Sequence, residues 1–93
     1  MQDRITKEKL DKYRNLTKKA LEVAKNSINK KKGKEAKEIT EMVSNYLIDS
    51  EYFEKIGDFI NAFAAINYAH GWLDSGVRLG IFDVKDDKLF TVR

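Results

Sequence analysis

Apolar or small residues recur at Tyr13, Leu16, Ala20, Val23 and Ser27 in steps of three and four, with Leu10, Ala24 and Ile28 widening the stripe. That is the repeat of one face of an α-helix, and it predicts a first helix over about residues 4 to 29. The run Lys30-Lys31-Lys32-Gly33-Lys34 then breaks the pattern. Its cations suit the negative end of the helix dipole, and Gly33 can take the positive φ of a C-terminal turn. A second stripe, Ile39, Val43, Tyr46, Ser50 and Phe53, broadened by Met42, Leu47 and Ile56, predicts a helix over about 35 to 56. Glu35, Glu38 and Glu41 occupy its opening turns, where the dipole favours negative charge.

Gly57 and Asp58 follow with no linker between them. A glycine can close one helix in the left-handed conformation, and an aspartate can cap the free amides of the next. The pair predicts a tight helical hairpin. The third helix, about 58 to 79, places Phe59, Phe63, Ile66, His70, Leu73 and Val77 on one stripe and Ala62, Ala65, Ala69 and Gly76 on its neighbour. Small side chains at this spacing admit another backbone, so the third helix is expected to lie between the other two, with Gly71 at a close crossing with the first. Gly80 is expected to turn the chain, with Ile81 folding back. Beyond it, Ile81-Phe82-Asp83-Val84 and Leu89-Phe90-Thr91-Val92 flank a polar Lys85-Asp86-Asp87-Lys88 turn, a pattern that suggests a small β-hairpin in the extension 81 to 93. The expected fold is all-α, an up-down-up three-helix bundle in a single domain over residues 1 to 93, with this short C-terminal extension.

Composition narrows the chemistry. With no Cys there are no disulfides, thiolate zinc sites or iron–sulfur clusters. No apolar run approaches a membrane span and no charged-then-apolar leader opens the chain, which makes a cytoplasmic protein without membrane association the expectation. Charge is divided unevenly: residues 1 to 34 carry twelve Lys and Arg against four acidic residues, whereas residues 35 to 93 carry six against eleven. Nine of the ten aromatics lie from Tyr46 onward. A basic patch of Lys18, Lys19, Lys25, Lys30, Lys31, Lys32 and Lys34 would suit an acidic partner such as RNA; the alternative is a solvated helix face and cap.

One polar constellation could carry chemistry. His70, Asp74 and Arg78 are spaced i, i+4 and i+8, with Asn67 one turn earlier. A carboxylate one turn from a histidine can orient its ring as a general base or a metal ligand requires. A metal site needs three or four ligands, and one His with no Cys leaves only carboxylates to complete the set, so neither a metal nor a cofactor is expected. The competing reading is a polar tie between helices, with His70 falling near Ser44 and Asn45 and Asp74 near Glu41. Asp49, Glu51 and Glu54 form a second acidic group whose expected role is solvation, with Mg²⁺ binding as the alternative. Tyr46, Tyr52, Tyr68 and Trp72 exceed what so small a core can bury, and Tyr and Trp concentrate binding energy at interfaces. They are the candidate contact surface for a protein partner or a second copy of the chain, ahead of nucleic acid.

The words Gly57-Asp58-Phe59-Ile60-Asn61-Ala62-Phe63 are similar to the middle of a tetratricopeptide repeat, but no second copy follows at that period. A wider match runs through Tyr-Phe, Gly-Asp, Asn-Ala, Asn-Tyr-Ala-His-Gly-Trp-Leu-Asp-Ser-Gly and Arg-Leu-Gly from Tyr52 to Gly80, after a Lys/Glu-rich helix bearing Tyr13 and Leu16. This resembles the small archaeal family catalogued as domain of unknown function 357. The resemblance implies a three-helix bundle of archaeal cytoplasmic origin with no established activity, and it carries over no catalytic residue.

Overall fold

The computed structural model describes residues 4–85 and 87–90. Three helices, α1 (Lys7–Lys25), α2 (Gly33–Lys55) and α3 (Phe59–Arg78), form an all-α bundle measuring 42 × 25 × 16 Å. The α2–α3 turn closes as its two residues require. Gly57 has φ +83°, its N–H donates to Glu54 O at 3.0 Å and the Asp58 N–H to Phe53 O at 2.8 Å, the paired bonds of a Schellman end. The Asp58 carboxylate accepts from the Asn61 backbone N–H at 3.0 Å, capping α3. The same device ends α3, where Gly80 has φ +76° and the Ile81 N–H donates to Gly76 O at 2.8 Å.

The first helix is shorter than its periodicity predicts. α1 stops at Lys25 because Ser27 to Asn29 are committed elsewhere: Ile28 forms an antiparallel bridge with Phe82, the Asn29 N–H donates to Ile81 O at 2.9 Å, and the Asp83 N–H donates to Ser27 O at 2.7 Å. The extended run after Gly80 thus pairs with the α1–α2 linker, not with the run that follows it. Leu89 and Phe90 lie in a turn and bend, and Thr91 and Val92 are outside the described residues, so no hairpin forms among those described. Gly33 is not a left-handed cap either. It has φ −57° and opens α2, after a single 3-10 turn at Lys30–Lys32.

Burial also moves the stripe on α1 by one position. Leu10, Arg14, Thr17, Ala20, Leu21 and Ala24 face inward, while Tyr13 and Leu16 are each 37% exposed. α3 packs against both α2 and α1, more than these two pack on each other, as expected of a helix lying between them, but it is not surrounded. Ala62, Ala65, Ala69 and Gly76 are buried as the small-residue stripe predicts, but Asn61, Asn67, Tyr68, Gly71, Trp72 and Ser75 form an open side. The expected crossing at Gly71 is absent: a Cβ there would meet nothing within 4 Å, so the roughly 1 kcal/mol that a mid-helix glycine costs is not offset by packing within the chain. The close approach is at Gly76, where a Cβ would fall 2.5 Å from the Phe82 ring.

Two apolar clusters result. The larger joins Ala20, Leu21 and Ala24 to Ile39, Val43, Leu47, Ala69, Leu73 and Val77, and is completed by Ile81, Phe82 and Phe90 from the C-terminal segment. The smaller, at the Gly57 end, holds Leu10, Ala62 and Ile66 with Phe53, Phe59 and Phe63 around them. Between them on α1 lie Arg14 and Thr17, and on α2 Ser50, the three buried polar residues of the described chain.

Candidate functional site

Aromatic residues of α3, one of them backed from α2, border an open groove on the surface. Tyr46 and Tyr68 stack across the two helices with ring centroids 5.6 Å apart and planes 17° from parallel, so Tyr46 is half-buried and supports Tyr68, which is 63% exposed. Trp72, one turn on, is 38% exposed. These two rings edge an open groove of about 710 Å³ whose other lining residues, Ala64, Asn67, Gly71 and Ser75, are all small or uncharged. Tyr52 is 59% exposed on α2, in ring contact with Phe53, and does not line the groove. Of the four candidate interface residues, the fold brings Tyr46, Tyr68 and Trp72 together and leaves Tyr52 apart.

His70 is held from two sides. Its Nε2 lies 2.7 Å from Leu89 O and its Nδ1 3.0 Å from Thr17 Oγ1. A carbonyl oxygen can only accept, so Nε2 carries the proton and, in the neutral ring, Nδ1 accepts from the Thr17 hydroxyl. Neither nitrogen is open to an incoming group. The Asp74 carboxylate is 3.9 Å from Nε2, and Arg78 is exposed in the last turn of α3. The ring therefore points toward α1 and the C-terminal segment, not toward Ser44 and Asn45, which line a separate depression with Lys25, Thr40 and Glu41. A pocket of about 340 Å³ beside His70 is bounded by Tyr13, Leu16, Asn67, Asp74 and Lys88 among others. Among the described residues, no group of three or more His, Asp and Glu is arranged to hold a metal ion.

The polar interaction that sequence reasoning missed is centred on Arg14. Its Nε donates to Ser50 Oγ at 3.1 Å, one terminal nitrogen to Ser50 O at 3.3 Å, and the other to Glu54 Oε1 at 2.7 Å. Asp11 adds a longer contact at 3.5 Å. Glu54 is thus a structural partner and not merely a solvated residue; Lys7 reaches its second oxygen at 3.4 Å. Asp11 first and then Glu54, by hydrogen bonding and charge, raise the Lys7 ammonium above its ordinary pKa. The available signal was Arg14 lying four residues from Leu10 and three from Thr17, on the helical face that turned out to be the buried one.

The lysines of the candidate basic patch are all exposed and have different surroundings. Lys18 pairs with Glu51 at 3.3 Å, and Lys32 lies 3.9 Å from Glu35. Lys25 lines the depression with Thr40 and Ser44, whereas Lys30 and Lys31 edge another with Phe82, Asp83 and Lys85. Lys19 and Lys34 are exposed.

The profile of a family described as protein of unknown function, DUF357, matches residues 12–82, from the first turns of α1 through the Phe82 bridge. The chain belongs to this family. The match takes in both helix–glycine ends, the Arg14 ties and the α3 groove. Curated proteins and solved structures gave no match to the chain. Membership gives no positive indication of an enzymatic activity. Among the described residues, no helix is long and apolar enough to cross a membrane.

Proposed function

We propose that this protein is a non-enzymatic protein-interaction module, archaeal and cytoplasmic, that meets its partner through the aromatic surface of α2 and α3. The observation that carries the reading is the outward side of α3. From Ile60 through Ser75 its exposed positions include no charged residue, in a chain of which 35% is charged. Solvent-facing helix sides are normally polar, and contiguous apolar surface rimmed by polar residues marks a contact site. Tyr and Trp at its centre supply rigid apolar area with a polar tip. The double engagement of His70 speaks against a catalytic base there.

The test is capture with tagged protein from a lysate of the source organism, with and without nuclease, comparing wild type with the Tyr68→Ser/Trp72→Ser double variant. A protein retained after nuclease and at moderate salt, and lost with the variant, is the expected result. Material that disappears with nuclease, falls steeply with salt and depends on Lys18, Lys19, Lys25 and Lys30 to Lys34 would replace this reading with RNA association, because phosphate contacts release counterions whereas an aromatic contact does not.

A further inference from the structure

The occupant of the α3 groove can be specified from the side chains along it. We infer that it is a second copy of this chain, its α3 antiparallel to the first about a two-fold axis between Tyr68 and Gly71; the inference rests on the reading of this surface as a protein contact.

A two-fold interface must be complementary to itself. The outward line of α3 runs Ile60, Asn61, Ala64, Asn67, Tyr68, Gly71, Trp72, Ser75, Arg78, Leu79, all exposed except the half-buried Ala64 and the last being its C-cap. Antiparallel pairing that sets Ala64 of one copy against Ser75 of the other fixes every remaining partner, and each is compatible. Tyr68, the large ring, meets Gly71, whose missing side chain leaves open space. Trp72 meets Asn67, small enough to lie under the indole with its amide at the rim. Ile60 and Leu79 meet each other at both ends; at 74% and 71% they are the two most exposed large hydrophobic residues among those described. Arg78 meets Asn61, whose side-chain amide donates to the Asp58 carboxylate at 2.7 Å. The cation at one end of α3 is therefore set beside the N-cap carboxylate of the other copy, and the antiparallel helix dipoles agree in sign.

The register also accounts for Gly71. Within one chain the residue has no packing partner; between two chains, side chains this small at Ala64, Gly71 and Ser75 allow the helices to come close. Ile60, Tyr68, Trp72 and Leu79, at 74%, 63%, 38% and 71% exposure, leave roughly 500 Å² of side-chain surface per copy, so that covering all of it buries about 1,000 Å² in total, below the range of stable specific interfaces and within that of transient ones. The dimer is accordingly weak and dependent on concentration.

Because the chain has no cysteine, disulfide trapping reads the register directly. Ala64→Cys and Ser75→Cys variants are made separately, oxidised alone and then mixed. The expected result is a disulfide-linked dimer only in the mixture, because like positions in this register are separated by eleven residues, roughly 16 Å along the helix, beyond the reach of a disulfide. Sedimentation equilibrium of the unmodified chain should show reversible association, with at least a tenfold weaker constant for Gly71→Ala, whose methyl occupies the slot for Tyr68. Homodisulfides as abundant as the mixed species, or a wild-type chain that stays monomeric at millimolar concentration, would overturn the proposal. If the chain is monomeric but Tyr68→Ser/Trp72→Ser still abolishes capture of another protein, the second copy falls and the contact surface stands; if that variant also changes nothing, both fall.

Discussion

Adding one methyl at Gly76 sets two known tendencies of a helix against each other. Alanine is favoured over glycine in a helix interior by about 1 kcal/mol. At Gly76, however, the new Cβ would stand 2.5 and 2.7 Å from two carbons of the Phe82 ring and 3.2 Å from Ile39 Cδ1. Overpacking of this kind costs about 1 to 3 kcal/mol, and the upper part of that range applies because the ring cannot easily give way. Phe82 is 1% exposed, its backbone is bridged to Ile28, and the hydrogen bonds at Asn29 and Asp83 hold the residues on either side of it. Taking the steric cost as about 3 kcal/mol leaves Gly76→Ala destabilised by about 2 kcal/mol. For a chain of this size that is a fall in Tm of roughly 8 to 16 °C. The control is Gly71→Ala, five residues earlier in the same helix, where the Cβ meets nothing. Measured in dilute solution, it should gain about 1 kcal/mol and melt roughly 4 to 8 °C higher. Combining Gly76→Ala with Phe82→Leu should cost less than the two changes separately, because the smaller residue removes the clash. Thermal and urea unfolding followed by circular dichroism suffice for the wild type and all four variants, Phe82→Leu alone included. A Gly76→Ala chain that melts at or above wild type would refute the claim that Phe82 is locked against α3.

Other outcomes follow from the polar ties and caps. Arg14→Met leaves Glu54 partly buried with only Lys7 beside it and should cost about 2 to 3 kcal/mol, less than for a fully buried pair; the Arg14→Met/Glu54→Leu double variant should recover most of this, as urea midpoints would show. His70→Ala releases both the Thr17 hydroxyl and the Leu89 carbonyl, with an expected loss of about 1 to 2 kcal/mol. Amide exchange should accelerate first around residues 82 to 90 while α2 stays protected, and uniform acceleration would count against a local tie. Asp58→Ala removes the α3 cap and should lower stability by about 1 kcal/mol, read from the urea midpoint; an unchanged midpoint would refute a stabilising role for the Asn61 contact.

What could be read from the chain in advance depended on how far apart the interacting residues lie. The Gly57-Asp58 turn and the Gly80-Ile81 end are written in adjacent residues, since positive φ and capping are local requirements, and both are found where expected. The phase of α1 was misread because polarity hid it: Arg14 and Thr17 are buried by partners on α2 and α3, while Tyr13 and Leu16 look apolar and stand partly exposed. Gly71 and Gly76 are indistinguishable by spacing. Only the reversal at Gly80, which brings Phe82 back onto α3, separates the glycine that is packed from the one that is open. The hairpin expected of the extension does not form among the described residues, because the backbone of Phe82 bridges instead to Ile28 in the α1–α2 linker, beyond any local pattern. At the candidate surface, the aromatic residue types were legible, whereas the grouping of Tyr46, Tyr68 and Trp72 apart from Tyr52 depends on which side of the α2–α3 hairpin each helix turn presents.

The position of Phe82 and Phe90 has a consequence for how the molecule is made. Helices and a tight hairpin form from neighbours in sequence and form fast, so α1, α2 and α3 can all be present on a growing chain. The larger apolar cluster nevertheless lacks two of its aromatic rings until the last part of this segment has emerged. Until then Gly76 lines an empty notch, and Ile39 and Val77 lack the ring that later covers them. A chain stopped after α3 would keep its helical circular dichroism yet lose the fixed packing that gives aromatic side chains their near-ultraviolet signal, the combination that defines a molten globule. The step that converts helices into a solid is therefore the docking of a segment whose described residues hold almost no secondary structure.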